Sequence, residues 1–224
     1  MRIVIQCAGS KRPEAPSFRQ DDGRQVIFVA DPASAPSQDG TVYAHPDECS
    51  DRAGQTWRAR VIAENTPPNA EGSPLLTAGQ LYTPKAYRTL RDFVGAERLF
   101  ILSAGWGLIR SDFRLPAYDI TFSRAGDGYK RRRPSQPFAD FNQLLGAGDD
   151  DVVFLGGRDY LPLFLQLSAV VQGRRLVFTK GAIREPLSSC WVQEFRTARS
   201  TNWHYSCADA LASGEIAPRF DEKR

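Results

Sequence analysis

In the stretch ILSAGWGLIRSDFRLPAYD, residues 101–119, a hydrophobic run breaks at Gly105-Trp106-Gly107 and is followed by Asp112, Tyr118 and Asp119. An indole between two glycines can stack on a planar base, which contributes about 1–3 kcal/mol per base in single-strand binders. Carboxylates beside such a ring orient a base edge or activate a water. Each residue also has a structural use: Trp106 as a core plug held by a tight turn, Asp112 and Asp119 as turn caps.

Groups suited to anions lie elsewhere in the chain. Cys7-Ala8-Gly9-Ser10-Lys11 places a serine and a lysine in a small-residue turn. It lacks the GxxxxGK[ST] spacing of a phosphate loop, and Pro13 stands where a helix would be established. Ser10 and Lys11 are read either as contacts to a polar or anionic ligand or as part of a solvated turn. Gly156-Gly157 precede Arg158, Asp159 and Tyr160. Paired glycines let a ligand approach the backbone, and the first N–H groups of a following helix can hold an oxygen. Asp159 belongs to that site or is a first-turn acid favoured by the helix dipole. Arg124, Lys130, Arg131, Arg132 and Arg133 lie in a Gly/Ser/Pro-rich segment that reads as a mobile loop, fit to neutralise phosphates without sequence preference or else merely solvated.

Both histidines neighbour cysteines, in His45-Pro-Asp-Glu-Cys49 and His204-Tyr-Ser-Cys207. Two nitrogens and two thiolates would make a tetrahedral zinc site, but the spacings are unusual and the halves far apart, so neither a metal nor a cofactor is expected. Cys207 reads as a core residue on an apolar helix face. His204 is one of two candidate imidazole bases, beside Asn202, Trp203 and Tyr205, which can hydrogen-bond or stack.

Elements must bring these groups together. Strands are read over residues 2–6, 26–30, 98–103, 151–155 and 175–179. Helices are read over 56–65 with Thr56 as cap, within 77–94 with Pro84 at the start or a kink and Gly95 closing it, near 138–145, and over about 158–171. Residues 13–55 read as an irregular excursion from the sheet. Runs such as RLFIL and VVFL lack polar alternation, as strands buried on both sides do. Alternating strands and helices imply right-handed crossovers and a mostly parallel sheet covered on both faces. Ligands of such sheets bind beyond the carboxyl ends of the strands. The loops leaving those ends are 7–11, 103–107, 156–160 and 180–181.

At 224 residues the chain is long enough to bury a core, and a net charge of +3 allows a nucleic-acid partner without the charge of a histone-like binder. No run approaches the roughly 18 apolar residues of a membrane span. Cysteines without CxxC pairing and no apolar leader fit a reduced cytoplasmic protein.

Three segments together resemble the YaaA-like family of bacterial proteins, known for a role in peroxide stress, and its short bacterial and phage relatives. They are Cys7-Ala-Gly-Ser-Lys11; Leu102-Ser103-Ala-Gly-Trp106-Gly107-Leu108-Ile109 with Asp112 and Tyr118; and Val152-Val-Phe-Leu-Gly156-Gly157-Arg-Asp159-Tyr160. The likeness spans roughly residues 2–11 and 98–165. It implies an α/β protein with a positively charged cleft, DNA binding, and a relation to base-handling enzymes of the uracil-glycosylase and deazaguanine-modification kind. The insertion at 13–55, and a tail without a counterpart of that family's Lys/Arg-rich C-terminal segment, depart from the stress protein.

The resulting expectation is one α/β domain over 1–224, a mostly parallel sheet with helices on both faces. It would bind a nucleobase, nucleotide, DNA or RNA at the strand carboxyl ends, away from any membrane. Trp106 would stack, with Ser103, Gly105, Gly107, Tyr118 and Tyr160 lining the site. Ser10, Lys11 and the Gly156-Gly157 backbone would hold oxygens, and Asp112, Asp119, Asp159 or His204 would orient a base or water. A carboxylate stabilising positive charge on a sugar suits N-glycosidic-bond chemistry or base modification. The alternative is a non-catalytic DNA-binding stress or defence protein using the basic 124–133 loop.

Overall fold

Strand runs with no polar alternation are stable only where both faces are covered, and here they form the centre of a sheet. The structure, a computed structural model, describes all residues except 51–53, 68, 134, 147, 182–186, 188, 199–200 and 221–224. The strands are β1 (Arg2–Gln6), β2 (Gln25–Phe28), β3 (Thr41–Ala44), β4 (Leu76–Thr77), β5 (Leu99–Ser103), β6 (Gly107–Arg110), β7 (Arg114–Leu115), β8 (Phe141–Asn142), β9 (Val152–Leu155), β10 (Arg175–Thr179) and β11 (Trp191–Glu194). The helices are α1 (Trp57–Glu64), α2 (Asn69–Gly72), α3 (Ala78–Leu81), α4 (Lys85–Val94), α5 (Leu161–Leu167) and α6 (Trp203–Ala212).

Among the described residues seven strands form one sheet in the order β11-β10-β9-β1-β5-β6-β8, in which only the β5–β6 pair is antiparallel. Every residue of β5 and β9 is buried. This is an α/β fold. From β1 the chain moves through α4 to β5 on one side, whereas from β9 it moves through α5 to β10 on the other. Right-handed crossovers in opposite directions place α4 and α5 on opposite faces and leave the topological switch point between β1 and β9. α6 packs against α4.

Several elements differ from the sequence expectation. Residues 138–145 are not a helix: they contain β8 and a 3-10 turn at Gln143–Gly146. Phe141 N donates to Trp106 O at 2.9 Å, so pairing with the strand-end turn overrides a helical spacing. The 77–94 segment is two helices, α3 and α4, separated at Pro84, whose ring cannot continue a helix. The 158–171 segment begins as a 3-10 turn, Arg158–Tyr160, and α5 ends at Leu167. Within 13–55, β2 and β3 pair in parallel as a separate sheet, and Phe18, Val26, Phe28 and Ala44 join the main core.

Candidate functional site

The strand-end loops rest on a buried polar network. Ser103 Oγ donates to Tyr118 Oη at 2.8 Å and accepts from Gly105 N and Trp106 N at 3.3 and 3.1 Å. Tyr118 Oη meets Tyr82 Oη at 2.7 Å, and Cys7 Sγ meets Tyr160 Oη at 3.2 Å and accepts from Ala104 N at 3.4 Å. Burial pushes the phenols of Tyr82, Tyr118 and Tyr160 well above their ordinary pKa, so they serve as neutral hydrogen-bonding groups. Ser103, Tyr118 and Tyr160 thus brace the loops from beneath instead of facing a ligand.

Trp106 does not stack on a ligand: its side chain is wholly buried. It lies edge-on to Phe28 at 5.2 Å and to Tyr118 at 6.5 Å, and stacks with Phe141 at 6.3 Å. The turn between β5 and β6 buries the indole among these three rings. Gly105 and Gly107 are buried with it, and a Cβ on Gly107 would lie 2.5 Å from Phe141 O. Positive φ at Gly107 (90°) and that backbone contact explain the glycine.

Two arginines lock the turn carbonyls. Arg58 reaches Gly105 O at 2.9 Å and pairs with Asp47, while Arg132 reaches Ala104 O at 3.0 Å and pairs with Asp140 through two bonds of 2.8 and 2.6 Å. Arg132 is buried and sits 3.9 Å from the Phe138 ring centroid. It is a structural clamp, unavailable to phosphates. Lys130 is likewise engaged, by Asp119 and Asp127 at 2.9 Å each, which hold its ammonium above its ordinary pKa. A parallel bridge between Thr121 and Arg131 closes the segment, with Thr121 N donating to Lys130 O and Arg132 N to Thr121 O. The basic segment is therefore a tied loop.

The candidate catalytic groups do not converge. Ser111 N donates to Leu99 O because β6 runs back along β5, so Asp112 lies at the opposite end of the sheet, paired with Arg110 at 2.7 Å. Asp119 is held by Lys130. His204 is buried on α6 with no partner for Nε2 among the described residues, and burial lowers its pKa to about 4, so it stays neutral. Cys207 is buried too, and burial raises its thiol pKa. Among the described residues no group of three or more His, Cys, Asp or Glu converges as metal ligands would. Ser10 is exposed and accepts from Thr83 Oγ1 at 2.9 Å. Lys11 packs 4.1 Å from the Tyr118 ring centroid, and burial lowers its pKa against the opposing pull of Cys7 and Asp119. Gly157 N is already bonded to Gln6 Oε1 at 2.6 Å, which removes it as an oxygen holder.

Among the described residues two cavities open at the carboxyl ends of β9 and β10. One, of about 510 Å³, is walled by Arg124, Arg131, Arg133, Arg158 and Asp159 over a floor that includes Phe122 and Pro162. Its volume falls in the usual range of small-molecule sites. The other, of about 210 Å³, is a mostly apolar slot between the Gly156-Gly157 backbone and Leu161, Val177, Phe178 and Trp203. Arg158 lines both. Of the candidate residues, Arg124, Arg131, Arg132, Arg133, Asp159, Gly156 and Gly157 therefore meet here, Arg132 with its guanidinium already paired to Asp140. Phe122 and Pro162 have no place in the expected site, since only the fold brings them to it; Arg158, directly after the glycine pair, and Trp203, read beside His204 as able to stack, carried a sequence signal.

Among the described residues no helix is long and apolar enough to cross a membrane. No curated protein and no solved structure matches the chain. Residues 72–179, just under half of the sequence, are similar to a family described as a family of unknown function (DUF6884). That segment runs from the end of α2 to the end of β10, and so contains the basic loop, the Gly156-Gly157 turn and the walls of the arginine-lined cavity.

Proposed function

We propose that the chain binds a nucleotide, free or within a nucleic-acid strand, in the paired cavities at the carboxyl ends of β9 and β10. Phosphate oxygens lie among Arg124, Arg131 and Arg133, and the base or sugar enters the slot beside Trp203. The observation that carries this reading is the convergence of those three arginines, none ion-paired with a carboxylate among the described residues, on one cavity beside an apolar slot. Guanidinium groups match phosphate oxygens with paired, charge-assisted hydrogen bonds. The place is the crevice beside the switch point, where open parallel sheets take their ligands. The likeness to the YaaA-like family supports the same ligand class, and four free cysteines suit a reducing cytoplasm. Any reaction at an N-glycosidic bond would rest on Asp159, the carboxylate lining the larger cavity.

A thermal-shift panel of nucleobases, nucleosides and nucleotides tests the reading. Ligand at about 100 times its Kd adds about 2.7 kcal/mol of stability. Nucleotides are expected to raise Tm more than the matching nucleosides, and the Arg131→Ala, Arg133→Ala double variant is expected to lose that difference. No stabilisation by any member of the panel would sink the proposal. Retention of DNA by the double variant would place nucleic-acid contact elsewhere.

A further inference from the structure

We infer that the arginine-lined cavity reads a condensed phosphate chain, as carried by a nucleoside di- or triphosphate, in preference to a single phosphate or a phosphodiester strand. This deepens the nucleotide reading and rests on it for the base, though not for the phosphates.

The protein neutralises part of its basic segment itself. Arg132, in the wall of the same cavity, is answered by Asp140, with both side chains almost wholly buried. Lys130, one residue before Arg131, is answered by Asp119 and Asp127. Arg124, Arg131 and Arg133 have no such ion-pair partner among the described residues, yet they line one cavity, with Asp159 the single carboxylate in its wall. Like charges held around one space repel, and the repulsion is relieved by an anion of matching charge in that space. In the count of wall charges Arg158 offsets Asp159, and a phosphate near pH 7, at about −1.5 to −2, is then too little for the guanidinium groups of Arg124, Arg131 and Arg133. Each added phosphate of a condensed chain brings further charge and acceptor oxygens into the same volume.

The geometry separates this ligand from a strand. Strand binders spread cations along a groove that tracks the backbone. Here the parallel Thr121–Arg131 bridge sets two limbs of the segment side by side, so Arg124, following one limb, and Arg131 and Arg133, on the other, line the same cavity. Charges gathered around one cavity suit a compact polyanion. The apolar slot that shares Arg158 then lies where the nucleoside end would emerge.

Calorimetric titration of the full chain, at low salt with EDTA, would compare the mono-, di- and triphosphates of one nucleoside, inorganic tripolyphosphate, and a single-stranded oligonucleotide. Affinity is expected to rise with each phosphate, by roughly tenfold or more from mono- to triphosphate. Tripolyphosphate should compete. Arg131→Ala with Arg133→Ala should bring the mono- and triphosphate to parity, with unchanged circular dichroism, and the matching lysine pair should retain part of the rise.

Equal affinity for mono- and triphosphate would overturn this inference while leaving the nucleotide reading intact. So would a triphosphate preference that survives the alanine pair, or an oligonucleotide that binds more tightly than the triphosphate through the same arginines. Arginine-dependent binding of tripolyphosphate without any nucleotide binding would remove the nucleotide reading and support the phosphate-chain inference. Binding by none of the probes would overturn both.

Discussion

His204 is neutral in the folded protein because charging it would place an imidazolium in a buried site where Nε2 has no partner among the described residues. Its folded pKa of about 4 lies below the ordinary 6.5, so the unfolded chain binds the proton more readily. The stability this provides is present above pH 6.5 and is lost as pH falls toward 4, by up to about 3 kcal/mol. Urea unfolding between pH 7 and 4 should show the loss, and His204→Phe should flatten that part of the profile. Trp106 yields a second expectation. With the ring fully buried, Trp106→Ala should cost about 3–5 kcal/mol. Trp106→Phe should cost less, because it also removes an Nε1 donor that has no partner among the described residues. Neither change should alter nucleotide binding beyond its effect on folding, which binding by the folded fraction would check.

At the scale of elements, the Gly105-Trp106-Gly107 turn is held by side chains from distant segments. Asp140→Ala leaves the buried Arg132 guanidinium without its carboxylate and is expected to cost about 3–5 kcal/mol by chemical denaturation. Gly107→Ala meets both a positive φ and the Phe141 carbonyl, so it should fold poorly or not at all. These partners explain what could be read beforehand. β1, β5, β9 and β10 were legible because strands buried on both faces are continuous apolar runs, and the break at Gly105 was legible from its glycines. What the turn is for was not, because it depends on contacts with Phe28, Arg58 and Phe141, far away in sequence. Local spacing suggested a helix over 138–145, whereas the backbone of Phe141 is committed to Trp106 O. Asp112 looked adjacent to Trp106 until β6 carried it back along β5 to the other end of the sheet. The arginines were legible as a basic run, but only ion pairing separates Arg131 and Arg133 from Lys130 and Arg132.

For the whole molecule, a parallel sheet that winds in two directions from its centre opens a crevice at one end, and the chain brings arginines, a glycine pair and Trp203 to that end. Binding there should weaken with salt, since it is largely electrostatic; titrations of one nucleotide at several ionic strengths should show affinity falling as salt rises. The likeness to a family of unknown function covers the arginines and the glycine pair of this end, though not Trp203, and names no ligand. The most direct measurement is a crystal structure of the full chain with a bound nucleotide. The phosphates are expected among Arg124, Arg131 and Arg133, with the base or sugar against Trp203. A nucleotide seated instead in the cavity beside Arg110 and Asp112, at the other end of the sheet, would contradict the account.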